Sequence, residues 1–168
     1  MLAVIKGMKR ALIILIIGIV PSIVFSQEKT EKIPMKVILS PGMSYQGKLL
    51  GELSLMFSKL DMTTGGAAIW GPRFGFESSL TSKDYIFAPK IGYEISGLMI
   101  CLRGNALAYL QNKRSDFRLL PEAGLSLSGV INLTYGYNLH IYGDKIRDIT
   151  NHKFSLLINL NYDLLKGL

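Results

Sequence analysis

The chain has 168 residues, 49% hydrophobic and 18% charged, with a formal charge of +7. That length suits one domain. The charges are scattered and form no basic stripe, which excludes a nucleic-acid surface. The single cysteine, Cys101, excludes an internal disulfide, and it has no Cys or His neighbours at metal-ligand spacing.

Taken in chain order, residues 1–26 have the three-part anatomy of a secretory signal peptide. Lys9 and Arg10 precede the apolar run Ala11–Val20, Pro21 breaks it, and Val24-Phe25-Ser26 offers a cleavage site that leaves Gln27 as the new N-terminus. Ala11–Phe25 is short for the roughly 20 apolar residues of a spanning helix and carries Pro21, which favours cleavage over anchoring. Met8-Lys9-Arg10 is a better n-region than Met1–Gly7, so either Met1 or Met8 can be the true start. No cysteine follows the apolar run, which argues against a lipoprotein. Without Lys6, Lys9 and Arg10, 16 basic residues face 12 acidic ones, a balance of +4. Residues 27–34 are charged and without periodicity, a flexible lead-in.

From Met35 to the end, segments of alternating character recur, separated by Gly, Asn, Asp or Ser. Period-two alternation predicts strands with two different faces. Eight are expected: Met35–Gly42, Lys48–Lys59, Ala67–Ser79, Asp84–Ser96, Leu98–Leu110, Asp116–Ser128, Val130–Tyr142 and Lys153–Leu164. In Val130–Tyr142 one face reads Asn132, Thr134, Gly136, Asn138, His140, and the other Ile131, Leu133, Tyr135, Tyr137, Leu139, Ile141. The Gly, Tyr and Phe content (17, 8 and 7) also favours strands and tight turns.

A soluble lipocalin-like barrel would turn the apolar face inward. Three features favour the inverse. The strands match the nine to eleven tilted residues that cross a bilayer. Aromatics such as Tyr85, Phe87, Tyr135, Tyr142 and Tyr162 sit near strand ends on the apolar face, like interfacial girdles. The polar face is rich in glycine and carries both signs of charge. Of the inner connections near Leu60–Gly66, Gly97 and Gly129, two are as tight as turns can be, and the outer ones fall near Met43–Gly47, Leu80–Lys83, Gln111–Ser115 and Gly143–His152. Short inner turns and longer outer loops are the membrane-barrel asymmetry.

Eight strands, a signal peptide and charges on the inner face resemble the small OmpA/OmpX-like outer-membrane barrels. Gly71-Pro72-Arg73-Phe74-Gly75, Ala88-Pro89-Lys90-Ile91-Gly92-Tyr93-Glu94 and Leu120-Pro121-Glu122-Ala123-Gly124 are similar to segments of uncharacterised Bacteroidota outer-membrane proteins, as is the leader ending Phe25-Ser26-Gln27. The resemblance implies an all-β, eight-stranded antiparallel up-and-down transmembrane barrel over residues 35–168, in the bacterial outer membrane. It implies membrane lipids and the barrel assembly machinery as partners. The chain departs from the pattern at its end, where Asp163–Leu168 follow Tyr162 instead of a terminal aromatic residue.

The polar faces gather Glu52, Arg73, Glu77, Lys90, Glu94, Arg103, Arg118 and Glu122, four acids and four bases. Unpaired charge is expensive away from bulk water, so these should pair into an ionic core. An eight-stranded barrel barely holds its own side chains, which disfavours an open pore. His140, His152, Ser155 and Asp148 match no catalytic spacing, and Gly65-Gly66 and Gly71–Gly75 are not phosphate loops. The expectation is a non-enzymatic barrel without cofactor or metal, structural or envelope-related, with a plugged lumen. A small-solute channel component and a soluble periplasmic lipocalin-like binder are the alternatives. The face assignment predicts that Leu133→Arg impairs insertion, that Asn132→Arg is better tolerated, and that Glu122→Gln destabilises the barrel.

Overall fold

The computed structural model describes residues 35–63, 66–80, 85–97 and 99–166. The expected signal peptide and lead-in lie outside the described residues, as do residues 81–83 of the expected Leu80–Lys83 loop.

Among the described residues every element but one is a strand. In order they are β1 (Met35–Tyr45), β2 (Leu49–Thr63), β3 (Gly66–Ser79), β4 (Phe87–Gly97), β5 (Ile100–Gln111), β6 (Arg114–Leu127), β7 (Ile131–Tyr137), β8 (Leu139–Gly143) and β9 (His152–Ile158), followed by the short helix α1 (Tyr162–Lys166). β7 and β8 are one stave interrupted at Asn138, since both pair with β6 in line. Each strand pairs antiparallel with its neighbours, and β9 closes the sheet by pairing with both β7 and β1. The result is an eight-stranded, up-and-down, closed barrel, the architecture of the small barrels that the sequence resembles.

The register gives the tilt. From Lys153 the paired residues run through Gly136, Glu122, Arg103, Glu94 and Gly71. The path continues through Ser58 and Lys36. The β1–β9 register, extended by the Leu39–Leu160 bridge, then returns it at the level of Asp163. Lys36 and Asp163 are indeed ion-paired at 3.0 Å. The walk ends about ten residues beyond its start, a shear that tilts eight strands by about 40°.

Alternation holds along most of the wall; the exception is β8, where every residue from Leu139 to Gly143 is exposed beside a register shift at Phe117 and Arg118. β5 reads exposed and buried in strict turn from Ile100 to Leu107, and β7 does so throughout. The outward face carries Leu, Ile, Phe, Tyr, Met and Pro. Its charged residues, Lys59 and Asp61, lie together at the far end of β2. Tight turns join several staves. Asn112 (φ 46°) and Lys113 (φ 66°) form a two-residue turn with both residues left-handed, and Ser128 (φ 48°) and Gly129 (φ 73°) begin another.

Three expected boundaries change. Leu60–Gly66 is mostly strand, because β2 and β3 extend until Thr63 faces Gly66. The seventh strand breaks at Asn138, whose N–H donates to the Asn151 carbonyl and whose amide nitrogen reaches Gln46. The eighth strand stops at Ile158 instead of Leu164. Asn161 accepts the Asp163 N–H at 2.9 Å, an N-cap that starts α1 and turns Leu164 inward.

Candidate functional site

The inward face is layered along the barrel axis. At the end that bears the 144–151 connection, Leu50, Ile86, Ala88, Leu107, Tyr109 and Leu120 pack with Ile146 and Ile149, which fold in from that connection. At the opposite end Ile38, Met56, Ala67, Ile69 and Val130 pack with Leu164 of α1. Between these apolar caps lies a belt of charge. β4 shows the order within one strand: Ala88 in one cap, then Lys90 and Glu94 in the belt.

The eight charged residues singled out from the sequence all point inward and are buried. Asp116 and Lys153 join them, making five acids and five bases. Sequence reasoning left these two out of the set. Their signal was the same alternation: Asp116 starts the face that continues with Arg118, and Lys153 shares its face with Ser155.

Four groups form. In the first, Lys90 and Lys153 each contact both Glu52 and Glu77, with Lys90–Glu77 at 3.2 Å and Lys153–Glu52 at 3.7 Å. Gln46 donates to Glu77 at 2.9 Å and accepts from Tyr109 and Asn138. In the second, Arg73 pairs with Glu94, which also accepts from Asn132 at 2.9 Å and Asn159 at 3.2 Å. In the third, Arg103 donates to Glu122 at 3.0 Å, and Asn105, Ser155 and Thr134 donate to the same carboxylate at 2.7, 3.0 and 3.3 Å. Gly92 makes room for this group, since a Cβ there would stand 2.2 Å from the Asn105 side-chain amide oxygen, Oδ1. Charges that would be prohibitive alone are tolerable here because each has an opposite partner and further hydrogen bonds.

The fourth group is a latch. Asp116 accepts from Arg118 Nη2 at 2.6 Å, from the Ile146 N–H at 2.9 Å, and faces His140 Nδ1 at 2.8 Å. Arg118 donates to the carbonyls of Ile146, Ile149 and Thr150 and lies over the Tyr109 ring at 5.3 Å. These bonds hold the two isoleucines in the barrel mouth. The Gly143–His152 segment, expected from sequence as an outer loop, is therefore partly a plug. Loop residues have no face periodicity, so nothing in the sequence marked Ile146 and Ile149 as interior.

Satisfaction is incomplete at two guanidinium groups. Arg73 Nε and Nη2, and Arg103 Nε and Nη1, are buried without protein acceptors. Cys101 is also buried on the inward face.

On the rim, Asp148 accepts from Lys48 at 2.7 Å and from Gln111 at 3.3 Å. These two hydrogen bonds hold the Asp148 carboxyl below the ordinary carboxylate range. A carboxyl more acidic folded than unfolded stabilises above its unfolded value, 3.8, and loses that contribution as pH falls through the lower folded value. Lowering the pH from about 7 to about 3 should therefore increase amide exchange in residues 144–151, relative to the intrinsic rate at each pH, before the wall opens. Lys48→Ala should raise that exchange already at neutral pH and flatten its pH dependence. An identical profile in the variant would remove the tie from the account.

The residues that might have formed a hydrolytic site have separate partners. Ser155 donates to Glu122, His140 faces Asp116, His152 Nδ1 meets the Tyr135 hydroxyl at 2.7 Å, and Asp148 accepts from Lys48. Among the described residues no cluster of His, Cys, Asp and Glu is placed to hold a metal ion.

Fold and interior together define a closed, ion-cored, end-capped β-barrel with an apolar outer wall. No protein-family model, no characterised protein and no solved structure matches the chain.

Proposed function

We propose that this chain is a non-enzymatic integral outer-membrane β-barrel with a structural or envelope-related role, exported by cleavage after Ser26 and plugged by its own charged core. One observation carries the proposal: the barrel is inside-out. Large apolar side chains cover the outward wall, including Leu53, Leu55, Phe74, Ile91, Leu102, Leu119, Leu133 and Leu156, all well exposed, while ten charges are sequestered inside. Soluble monomers rarely expose contiguous apolar patches beyond a few hundred Å². In hydrocarbon the same wall is favourable, and closure leaves no unpaired strand edge.

The dimensions agree. β1–β6 contain 11, 15, 14, 11, 12 and 14 residues, enough at a tilt of about 40° to cross a hydrocarbon core. Four of the exposed tyrosines stand near the ends, Tyr45, Tyr85 and Tyr142 at one end and Tyr162 at the other, while Tyr93, Tyr135 and Tyr137 lie along the wall between. Both ends of the barrel chain lie on one side, which on this proposal is periplasmic, and the 144–151 plug faces outward. The partners are then outer-membrane lipids and, during biogenesis, the assembly machinery. The two apolar caps argue for a plugged barrel over a standing pore, and the polar interior argues against a lipocalin-like cavity for a lipophilic ligand.

The test is fractionation of the mature chain. It should start at Gln27, remain with outer membranes, and migrate faster unheated than boiled on a denaturing gel. Recovery in the soluble periplasmic fraction without a heat-dependent shift would overturn the proposal. In planar bilayers the barrel should leave the conductance at the lipid baseline. A steady conductance that falls in Arg103→Gln would assign a channel instead.

A further inference from the structure

The outer wall is not uniform. Along the outward face of β5 the side chains shrink to Gly104, Ala106 and Ala108, between taller neighbours on β4 and β6. In register, Ala106 lies between Ile91 and Leu119, and Ala108 lies beside Phe117. The depression is a groove of about 490 Å³ whose walls include Pro89, Ile91, Leu119 and Ile141. It runs toward the end that carries the plug.

Directly beyond it the charge changes. Lys113 sits in the β5–β6 turn, and Arg114 opens β6. Gly143 pairs with Asp116, and the Asp144 N–H donates to the Ser115 carbonyl at 2.8 Å, which brings Lys145 and Arg147 beside the same turn. All four cations are exposed, and among the described residues none has a carboxylate within ion-pair distance. Asp144 is the acid that stands with them. Asp148 is engaged by Lys48, and Asp116 is buried against Arg118. At the boundary, Phe117 and Tyr142 form a ring pair at 6.2 Å, with Tyr142 73% exposed. Phe117 is three strand residues from Arg114, roughly 10 Å.

Resting on the membrane-barrel proposal, we infer that this groove and basic rim together bind a phosphate-bearing membrane lipid. One acyl chain lies along Ala106 and Ala108, and the phosphate meets Lys113, Arg114, Lys145 and Arg147. Charge complementarity selects the occupant. A neutral lipid would fill the groove but leave the four cations without a counter-charge, whereas basic side chains at a membrane surface attract anionic headgroups. Charge-assisted bonds from arginine suit phosphate oxygens particularly well. The rim is open and exposed, so a free anion would be screened and weakly held. Joining the headgroup to a chain in the groove lets the two weak contacts act as one.

The mature barrel, refolded in neutral detergent micelles, tests this by native mass spectrometry. Phosphatidic acid, phosphatidylcholine and chain-free glycerol 3-phosphate serve as probes, and the heat-dependent gel shift confirms folding of each variant. Wild type should retain one phosphatidic acid at least tenfold more tightly than phosphatidylcholine, with no retention of glycerol 3-phosphate. Replacing Lys113, Arg114, Lys145 and Arg147 by Gln should abolish the preference. Ala106→Phe, which fills the groove, should weaken retention at least tenfold with the rim intact, and Ala108→Leu serves if that variant does not fold. Equal retention of both lipids, retention of glycerol 3-phosphate, or indifference to groove filling would each overturn the site. A barrel that never acquires the gel shift or enters phosphatidylcholine vesicles would instead overturn the membrane proposal.

Discussion

Glu122→Gln is expected to lower the unfolding stability of the barrel by about 3–5 kcal/mol, the cost of breaking a buried ion pair by removing one partner. The carboxylate accepts from Arg103, Asn105, Thr134 and Ser155. An amide has one acceptor oxygen and adds two donors where donors already crowd. Arg103 suffers most, because its Nε and Nη1 have no protein acceptor to begin with. Removing both charges should cost much less. Arg103→Met combined with Glu122→Leu should recover part of the loss, since well-packed apolar pairs often replace buried ion pairs at little cost. The measurement is the urea midpoint of the heat-dependent gel shift for the two single variants and the double. An unchanged midpoint in Glu122→Gln would mean that water reaches the lumen and solvates the group.

Leu133→Arg separates a membrane barrel from a soluble one. Leu133 is 54% exposed, the third residue of β7, and faces Leu125 and Leu156 on the adjoining strands. In water, an exposed Leu→Arg change on a wall is close to neutral, within about 0.5 kcal/mol. In a bilayer the same cation costs up to about 2–4 kcal/mol, most at the midplane and less toward either interface. Insertion into phosphatidylcholine vesicles should fall accordingly, while Leu133→Ala inserts nearly as well as wild type. Equal insertion of the two variants would remove Leu133 from the hydrocarbon. The neighbouring substitution Asn132→Arg, expected from alternation to be the tolerated control, is corrected by the structure. Asn132 is fully buried, donates to Glu94 and accepts from Ser96. An arginine there would push a sixth cation into a filled and balanced interior.

Those two neighbouring positions mark what was legible. The alternation of Asn132 and Leu133 places them on opposite faces, because side chains in a strand have period two whatever the strand pairs with. The same rule put Glu52, Arg73 and Glu122 on polar faces, and glycine-bearing turns separated the strands. Chemistry was not legible, because His140, His152 and Ser155 acquire partners only through the fold.

By itself, then, the sequence determined the local facts: an all-β chain, eight staves, and an apolar and a charged face. Tertiary structure alone decided the shear of about ten that closes the barrel, and with it which charges meet. Glu77 and Lys153 are far apart in the chain yet share the belt, a pairing set by register around a closed wall rather than by spacing. It also decided the caps. Ile146, Ile149 and Leu164 lie outside the strands, where no period constrains a side chain. They turn inward because Asp116, Arg118 and the Asn161 cap hold their backbones there.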